Sequence, residues 1–345
     1  MYCSDGKLIC CRDCFMRYIA TKVLKRLETN RIRGGFNDEQ KTVLVPVSFG
    51  VSSICLLHLL DQQLRNRAEQ GRHAGYSLHI LFVDQYAIVG PKSAEQLVNC
   101  LTQRFPSHAY TSISLEECNK YGISFEEVSN GGQKDLKHIV SSLPSPTSRV
   151  DFVEIARRRL ILAFAKKHGC NSILFGDSTT RLAERALSET AKGRGGVLPW
   201  LTTDSPYTDA IPCIYPMRDL LRKELLAYAG VTSPPLTSLV LEDSKQAPAS
   251  SRDVTIDGLM SQYFESVEQN YPSIVANVVR TSGKLVPHMV AGGTRTCPMC
   301  EHPILTESWG GEQYAVSSLQ PAEDVGGPRN NRPLCYGCAR TVLKP

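Results

Sequence analysis

Between Lys41 and Asp61 the chain runs for 19 residues, Thr42 to Leu60, without a charge. That is close to the roughly 18 apolar residues that mark a membrane span, yet Pro46, Ser48, Gly50, Ser52, Ser53 and His58 interrupt it. A stretch so poor in charge and so broken has to lie inside a globular domain. Val43, Leu44, Val45 and Val47 read as a buried strand, and Ile54, Leu56, Leu57, Leu60 and Leu64 recur at helical spacing. The segment is a strand, a small-residue turn and a helix.

The same alternation continues to about Arg280. Strands are expected at Thr42 to Val47, Leu78 to Val83, Tyr110 to Ser114, Ser172 to Phe175 and Ile211 to Tyr215. Helices are expected at Ser53 to Arg67, Lys92 to Arg104, Val153 to Lys167, Thr180 to Lys192 and Leu220 to Ala229, with two more near Leu259 to Asn270 and Ser273 to Arg280. Ser141 to Ser148 reads as a Pro/Ser linker and Ser233 to Asp253 as a loop. This order predicts an α/β fold, a parallel sheet with helices on both faces. With 42% hydrophobic and 21% charged residues the chain is not disordered.

The 13 cysteines fall into three groups. Cys3, Cys10, Cys11 and Cys14 open the chain, Cys297, Cys300, Cys335 and Cys338 lie near its other end, and Cys55, Cys100, Cys118, Cys170 and Cys213 are scattered. Asp5, Lys7, Arg12, Asp13 and Arg17 break any early apolar stretch, so a secretory leader is not expected and disulfides with it. The isolated five read as small buried residues. Cys297-Pro-Met-Cys300 and Cys335-Tyr-Gly-Cys338 are two knuckles, each able to offer two thiolates to one tetrahedral ion. Zinc is the expected metal, with an iron–sulfur cluster or free thiols as the alternatives. Cys11 and Cys14 form a further knuckle, with Cys3 or Cys10 as added candidates. Three parts follow: residues 1–36, a cysteine-rich element with a basic amphipathic helix; 37–290, the α/β domain; and 291–345, a zinc-ribbon-like element.

The first 35 residues hold eight cations and three anions, an excess equal to the net +5 of the whole chain. Phe15, Ile19, Val23 and Leu27 step by four, placing Lys22, Lys25 and Arg26 on a basic helix. Arg157, Arg158, Arg159, Lys166 and Lys167 share another helix, followed by Arg181, Arg185 and Arg194. These are candidate nucleic-acid phosphate contacts, and equally an ordinary solvated surface.

Val47-Ser48-Phe49-Gly50-Val51-Ser52-Ser53 follows the first strand and opens a helix, a place where backbone N–H groups can face a phosphate or where Ser52 or Ser53 simply caps a helix. The segment resembles the PP-loop, Ser-Gly-Gly-x-Asp-Ser, of ATP pyrophosphatases that adenylate a carbonyl. Ser48, Gly50 and Ser53 match it, whereas Phe49 replaces a glycine and Ser52 the acidic residue. A side chain at 49 is expected to obstruct close backbone approach and to resist positive φ. Phe175-Gly176-Asp177-Ser178 stands where thiolases carry a second nucleotide-side element. Gly193-Arg194-Gly195-Gly196, Tyr215-Pro216-Met217-Arg218-Asp219, Tyr271-Pro272-Ser273 through Lys284 and Cys11-Arg12-Asp13-Cys14 are similar to the non-catalytic subunit of the cytoplasmic tRNA 2-thiolation complex.

That resemblance implies a degenerate PP-loop domain, adenine-nucleotide alpha-hydrolase-like, with Ser48, Gly50, Ser52, Ser53, Gly176 and Asp177 as remnants of a nucleotide pocket and ATP turnover in doubt. Where active thiolases place a Cys-x-x-Cys, this chain has Ser145-Pro146-Thr147-Ser148, and relatives complete the N-terminal knuckle with cysteines that this sequence lacks. The implied role is that of a non-enzymatic cytoplasmic subunit, paired with a catalytic PP-loop thiolase and tRNA, linked to a ubiquitin-related sulfur carrier and without a membrane partner. An active ATP-dependent thiolase and a zinc-stabilised RNA-binding scaffold are the alternatives.

Overall fold

The computed structural model describes residues 2–4, 8–30, 41–72, 75–85, 88, 95–125, 135–204, 211–241, 253–285, 296–304 and 334–342, with side chains from 11 onward. A short antiparallel hairpin, β1 (Tyr2–Ser4) and β2 (Leu8–Cys10), leads into helix α1 (Arg12–Thr29). Five parallel strands follow, β3 (Lys41–Pro46), β4 (Tyr76–Asp84), β5 (Ala109–Ser114), β6 (Ser172–Leu174) and β7 (Cys213–Ile214). They lie in the order β5-β4-β3-β6-β7. The chain therefore winds outward from β3 in one direction and returns to continue from β3 in the other. Ligands of such sheets bind outside the carboxyl ends of the strands where the order reverses, here between β3 and β6.

Each strand feeds two cores because successive side chains point to opposite faces. Val43, Val45, Leu78, Ile80, Leu174 and Ile214 enter one core with helix α2 (Val51–Glu69). Leu44, Leu81, Val83, Ile173 and Cys213 enter the other, beneath the long helix α5 (Pro146–Lys167). Both faces are covered, which is why the strands read as continuous apolar runs. Between β4 and α5 come helix α3 (Glu95–Arg104) and the short α4 (Leu136–Ser142). The remaining helices are α6 (Thr179–Ala191), α7 (Leu198–Thr202), α8 (Arg222–Val231), α9 (Ile256–Asn270), α10 (Pro272–Ser282) and α11 (Tyr336–Val342).

One reading needs correction. Ser141 to Ser148 is not a linker, because Ser145 accepts from the Ser148 backbone N–H at 3.0 Å and Pro146 takes the first helical turn, starting α5 seven residues before Val153. The N-terminal helix packs by the stripe that its spacing predicted. Phe15, Ile19, Val23 and Leu27 are buried in the first core together with α2 and α8.

Candidate functional site

The turn after β3 sits at the sheet's carboxyl edge, and its geometry departs from what its side chains suggested. Phe49 takes φ 59, in the left-handed region that a non-glycine residue adopts at a cost of about 1–3 kcal/mol. Its ring is fully buried and meets Phe82 at a centroid distance of 5.2 Å, and its carbonyl accepts from the Leu241 N–H at 2.9 Å. The expected obstruction is thus absent: the side chain points into the core and the turn keeps a glycine-like path. Gly50 is the N-cap of α2, Ser53 Oγ donates to the Gly50 carbonyl at 2.9 Å, Ser48 is exposed and Ser52 half-buried.

The β6 turn closes against this one. A Cβ built on Gly176 would lie 2.6 Å from the Ser53 Cα and 3.0 Å from its nitrogen, so glycine is what lets the two backbones touch. Gly176→Ala is expected to lower unfolding free energy by about 1–3 kcal/mol, read as a shifted urea midpoint; an unchanged midpoint would contradict the packing. Asp177 is held 2.8 Å from Arg185 Nη1. The structure therefore brings Ser53 and Gly176 together, with Asp177 tied to an arginine.

Thirty-four residues separate Cys300 from Cys335, yet all four C-terminal cysteines converge. Their sulfurs lie within 4.8 Å of one another, and Cys300 Sγ to Cys335 Sγ is 3.9 Å. A disulfide needs about 2.05 Å, whereas four thiolates around zinc at about 2.3 Å stand about 3.8 Å apart. The donor set fits a tetrahedral ion. Backbone bonds shape the first knuckle, with Cys297 N–H to the His302 carbonyl at 2.9 Å, Glu301 N–H to the Cys297 carbonyl at 2.8 Å and Glu301 at φ 59. The metal would cross-link the knuckle to α11. Cys11 and Cys14 are exposed, with the Cys14 N–H donating to Cys11 Sγ at 3.4 Å; the side chains of Cys3 and Cys10 lie outside the described residues.

The scattered thiols are separate from this cluster. Burial pushes the Cys118 thiol up to about 11 and raises Cys55, Cys170 and Cys213 as well, while Cys100 is exposed.

Among the candidate phosphate contacts, Lys25, Lys166 and Lys167 are exposed, Lys167 sitting over the Tyr121 ring, and Arg181 is exposed beside Glu184. Arg157 is taken up by Glu154 at 2.6 Å, and Arg26 lies 2.9 Å from Asp204. Lys22 donates to the Asp219 carbonyl at 2.9 Å. Three of the others turn inward. Consecutive helical positions lie about 100° apart, so Arg157, Arg158 and Arg159 cannot share one face. Arg158 stacks on Phe175 and donates to Tyr215 Oη. Arg159 is buried, donating to Glu301 and to the Pro298 and Met299 carbonyls, where it braces the first knuckle. Arg194 is spent inside the protein. It pairs with Asp151 and Glu189, neither of which the sequence had singled out.

These last groups form a buried network. Lys192 Nζ lies 2.9 Å from Asp151, 2.8 Å from Glu189 and 3.2 Å from Asp257, and Thr341 Oγ1 on α11 donates to Asp151 at 2.7 Å. The cysteine cluster is thereby fixed to the α/β domain on two sides, by Arg159 beneath the knuckle and by Asp151 beneath α11. No pattern in the sequence signalled it, since the partners are far apart and of ordinary type.

The chain and its fold have counterparts among known proteins. The family described as cytoplasmic tRNA 2-thiolation protein 2 matches over residues 255–340. A protein of that name from Pyrenophora tritici-repentis is 41% identical over 354 residues, covering 97% of this chain and 90% of the relative. Another from Phaeosphaeria nodorum is 40% identical, covering 96% and 89%. In three dimensions the chain is similar to the U34-tRNA thiolase NcsA from Methanococcus maripaludis, solved with its 4Fe-4S cluster, at a TM-score of 0.57 and 17% identity over 84% of each chain.

Proposed function

The chain belongs to the cytoplasmic tRNA 2-thiolation protein 2 family, and from this premise we propose that it is the non-catalytic subunit of a cytoplasmic tRNA thiolase. In this reading a PP-loop partner adenylates the wobble uridine and exchanges its C2 oxygen for sulfur delivered by a ubiquitin-related carrier. This chain stabilises the partner and extends its tRNA surface. The ion at the four cysteines is zinc, a structural cross-link. Among the described residues no helix is long and apolar enough to cross a membrane.

The observation that carries the reading is a preserved turn without its chemistry. Phe49 keeps the glycine-like path of the turn and Gly176 lets the two loops touch at Ser53, but the acidic position of the turn is Ser52, and Ser145, where active thiolases place a cysteine, serves as the N-cap of α5. Cys55, Cys118, Cys170 and Cys213 are buried with raised thiol pKa values, the wrong setting for a sulfur nucleophile. Reconstitution with the catalytic partner tests it. Thiolation of a wobble-uridine tRNA is expected to collapse when this chain is withheld and to survive Ser53→Ala within it. Full activity of the partner alone would overturn the proposal.

The retained path of the Phe49 turn favours one other reading, an active ATP-dependent thiolase. Under it the isolated chain turns over ATP and Ser53→Ala abolishes the activity.

A further inference from the structure

Arg218 stands just past β7, at the carboxyl edge of the sheet, and is 9% exposed. Among the described residues its guanidinium has no hydrogen bond and no ion pair. Burial and the like charge of Arg26 press its pKa below the ordinary arginine value, and the opposing pull of Asp204 and Asp219 does not outweigh them. Those two carboxylates are engaged elsewhere. Arg26 Nε lies 2.9 Å from Asp204 and Nη1 3.9 Å from Asp219, while Lys22 reaches the Asp219 carbonyl.

On its other side Arg218 presses on the end of α10. A Cβ at Gly283 would come 2.8 Å from Arg218 Nη2, so the guanidinium occupies space that any other residue there would claim. The helix end offers it partial negative charge, but among the described residues its N–H donors meet no acceptor. Lys284, the next residue, is exposed, and Arg280, one turn back, bonds to Asn277 rather than to a carboxylate.

We infer that Arg218, flanked by Lys22, Arg26 and Lys284, binds the phosphate backbone of RNA. This rests on the tRNA reading above and assigns it a place on the molecule. A planar guanidinium with open donors matches a phosphate in a two-pronged contact. The cations come from three segments of chain spread across a surface, which suits successive phosphates better than one small anion. The arrangement also answers an energetic problem: a largely buried cation beside another cation is stabilised when an anion arrives.

The test titrates the full chain with an in vitro transcript of a wobble-uridine tRNA over a range of salt concentrations. Wild type, Arg218→Gln, Lys284→Gln and the double variant are compared. Each lost contact is expected to reduce the steepness of log affinity against log salt by about one, and the double variant by about two. Lys284→Gln is at an exposed position and leaves the fold intact. If wild type binds tRNA while Lys284→Gln and Arg218→Gln keep its slope, the site is wrong and the tRNA reading stands. The site is equally wrong if Arg218→Gln lowers only the unfolding midpoint, since Arg218 is then a helix cap. Wild type that binds no tRNA overturns the reading and the site together.

Discussion

Cys338→Ser is expected to strip the metal from the protein and to lower its stability by more than about 4 kcal/mol, the range reserved for losing a bound metal or a comparable clasp. Three thiolates leave the fourth corner of a tetrahedral site to water or a hydroxyl, a weaker ligand that ties no second segment of chain to the ion. The loss would also spread, because Cys297, Met299, Cys300, Ile304 and Cys338 are part of the second core and not an appendage to it. Releasing the knuckle frees Arg159, which donates to Pro298 and Met299, and exposes the apolar face of α5 beneath. Metal content per chain by elemental analysis, together with the urea midpoint, checks both halves. Zinc at one per chain in wild type and none in the variant is the expected result. A variant that keeps its metal, or loses it with no change in midpoint, contradicts the cross-link.

Asp151→Ala is expected to cost about 3–5 kcal/mol, the penalty for leaving buried cations without their carboxylate. The side chains of Arg194 and Lys192 are 4% and 6% exposed, and both converge on Asp151. Glu189 also pairs with both cations and Asp257 with Lys192, but without Asp151 the two buried cations keep one shared carboxylate where they had two. The effect has a pH signature. Burial would push the Asp151 carboxyl up, but the Arg194 and Lys192 charges outweigh it and hold its pKa below the usual carboxylate value. A depressed folded-state pKa means the stabilisation is complete above the unfolded value of about 3.9 and fades as pH falls through the folded one. The stability gap between wild type and Asp151→Ala should therefore be constant from neutral pH down to about 5 and narrow only in stronger acid. A gap that closed between pH 8 and 6 would point to another group.

The architecture was legible because it is written in local periodicities. Phe15, Ile19, Val23 and Leu27 announce a buried stripe by their spacing alone, and the alternation of Val43, Leu44 and Val45 between two cores follows from a strand with no polar face. The four C-terminal cysteines were legible too, since knuckle spacing is a local pattern even when the knuckles are distant. What escaped depends on contacts that spacing does not encode. Arg194 looks like any surface arginine until Asp151, 43 residues earlier, is folded against it. Phe49 looked like an obstacle because the sequence names the side chain without its direction. The start of α5 was missed because Ser145-Pro146 punctuates helices and linkers alike, and its capping bond is visible only in the structure.

The bond from Thr341 to Asp151 joins positions 190 residues apart. Loops of that span close late, after most local structure has formed, because their entropy must be met before the contact gives anything back. Interactions made after the folding barrier govern how fast a protein comes apart and hardly affect how fast it assembles. The tie from α11 to Asp151 thus belongs to the lifetime of the folded chain, and a chain whose four cysteines held no ion is expected to come apart faster while still folding on schedule.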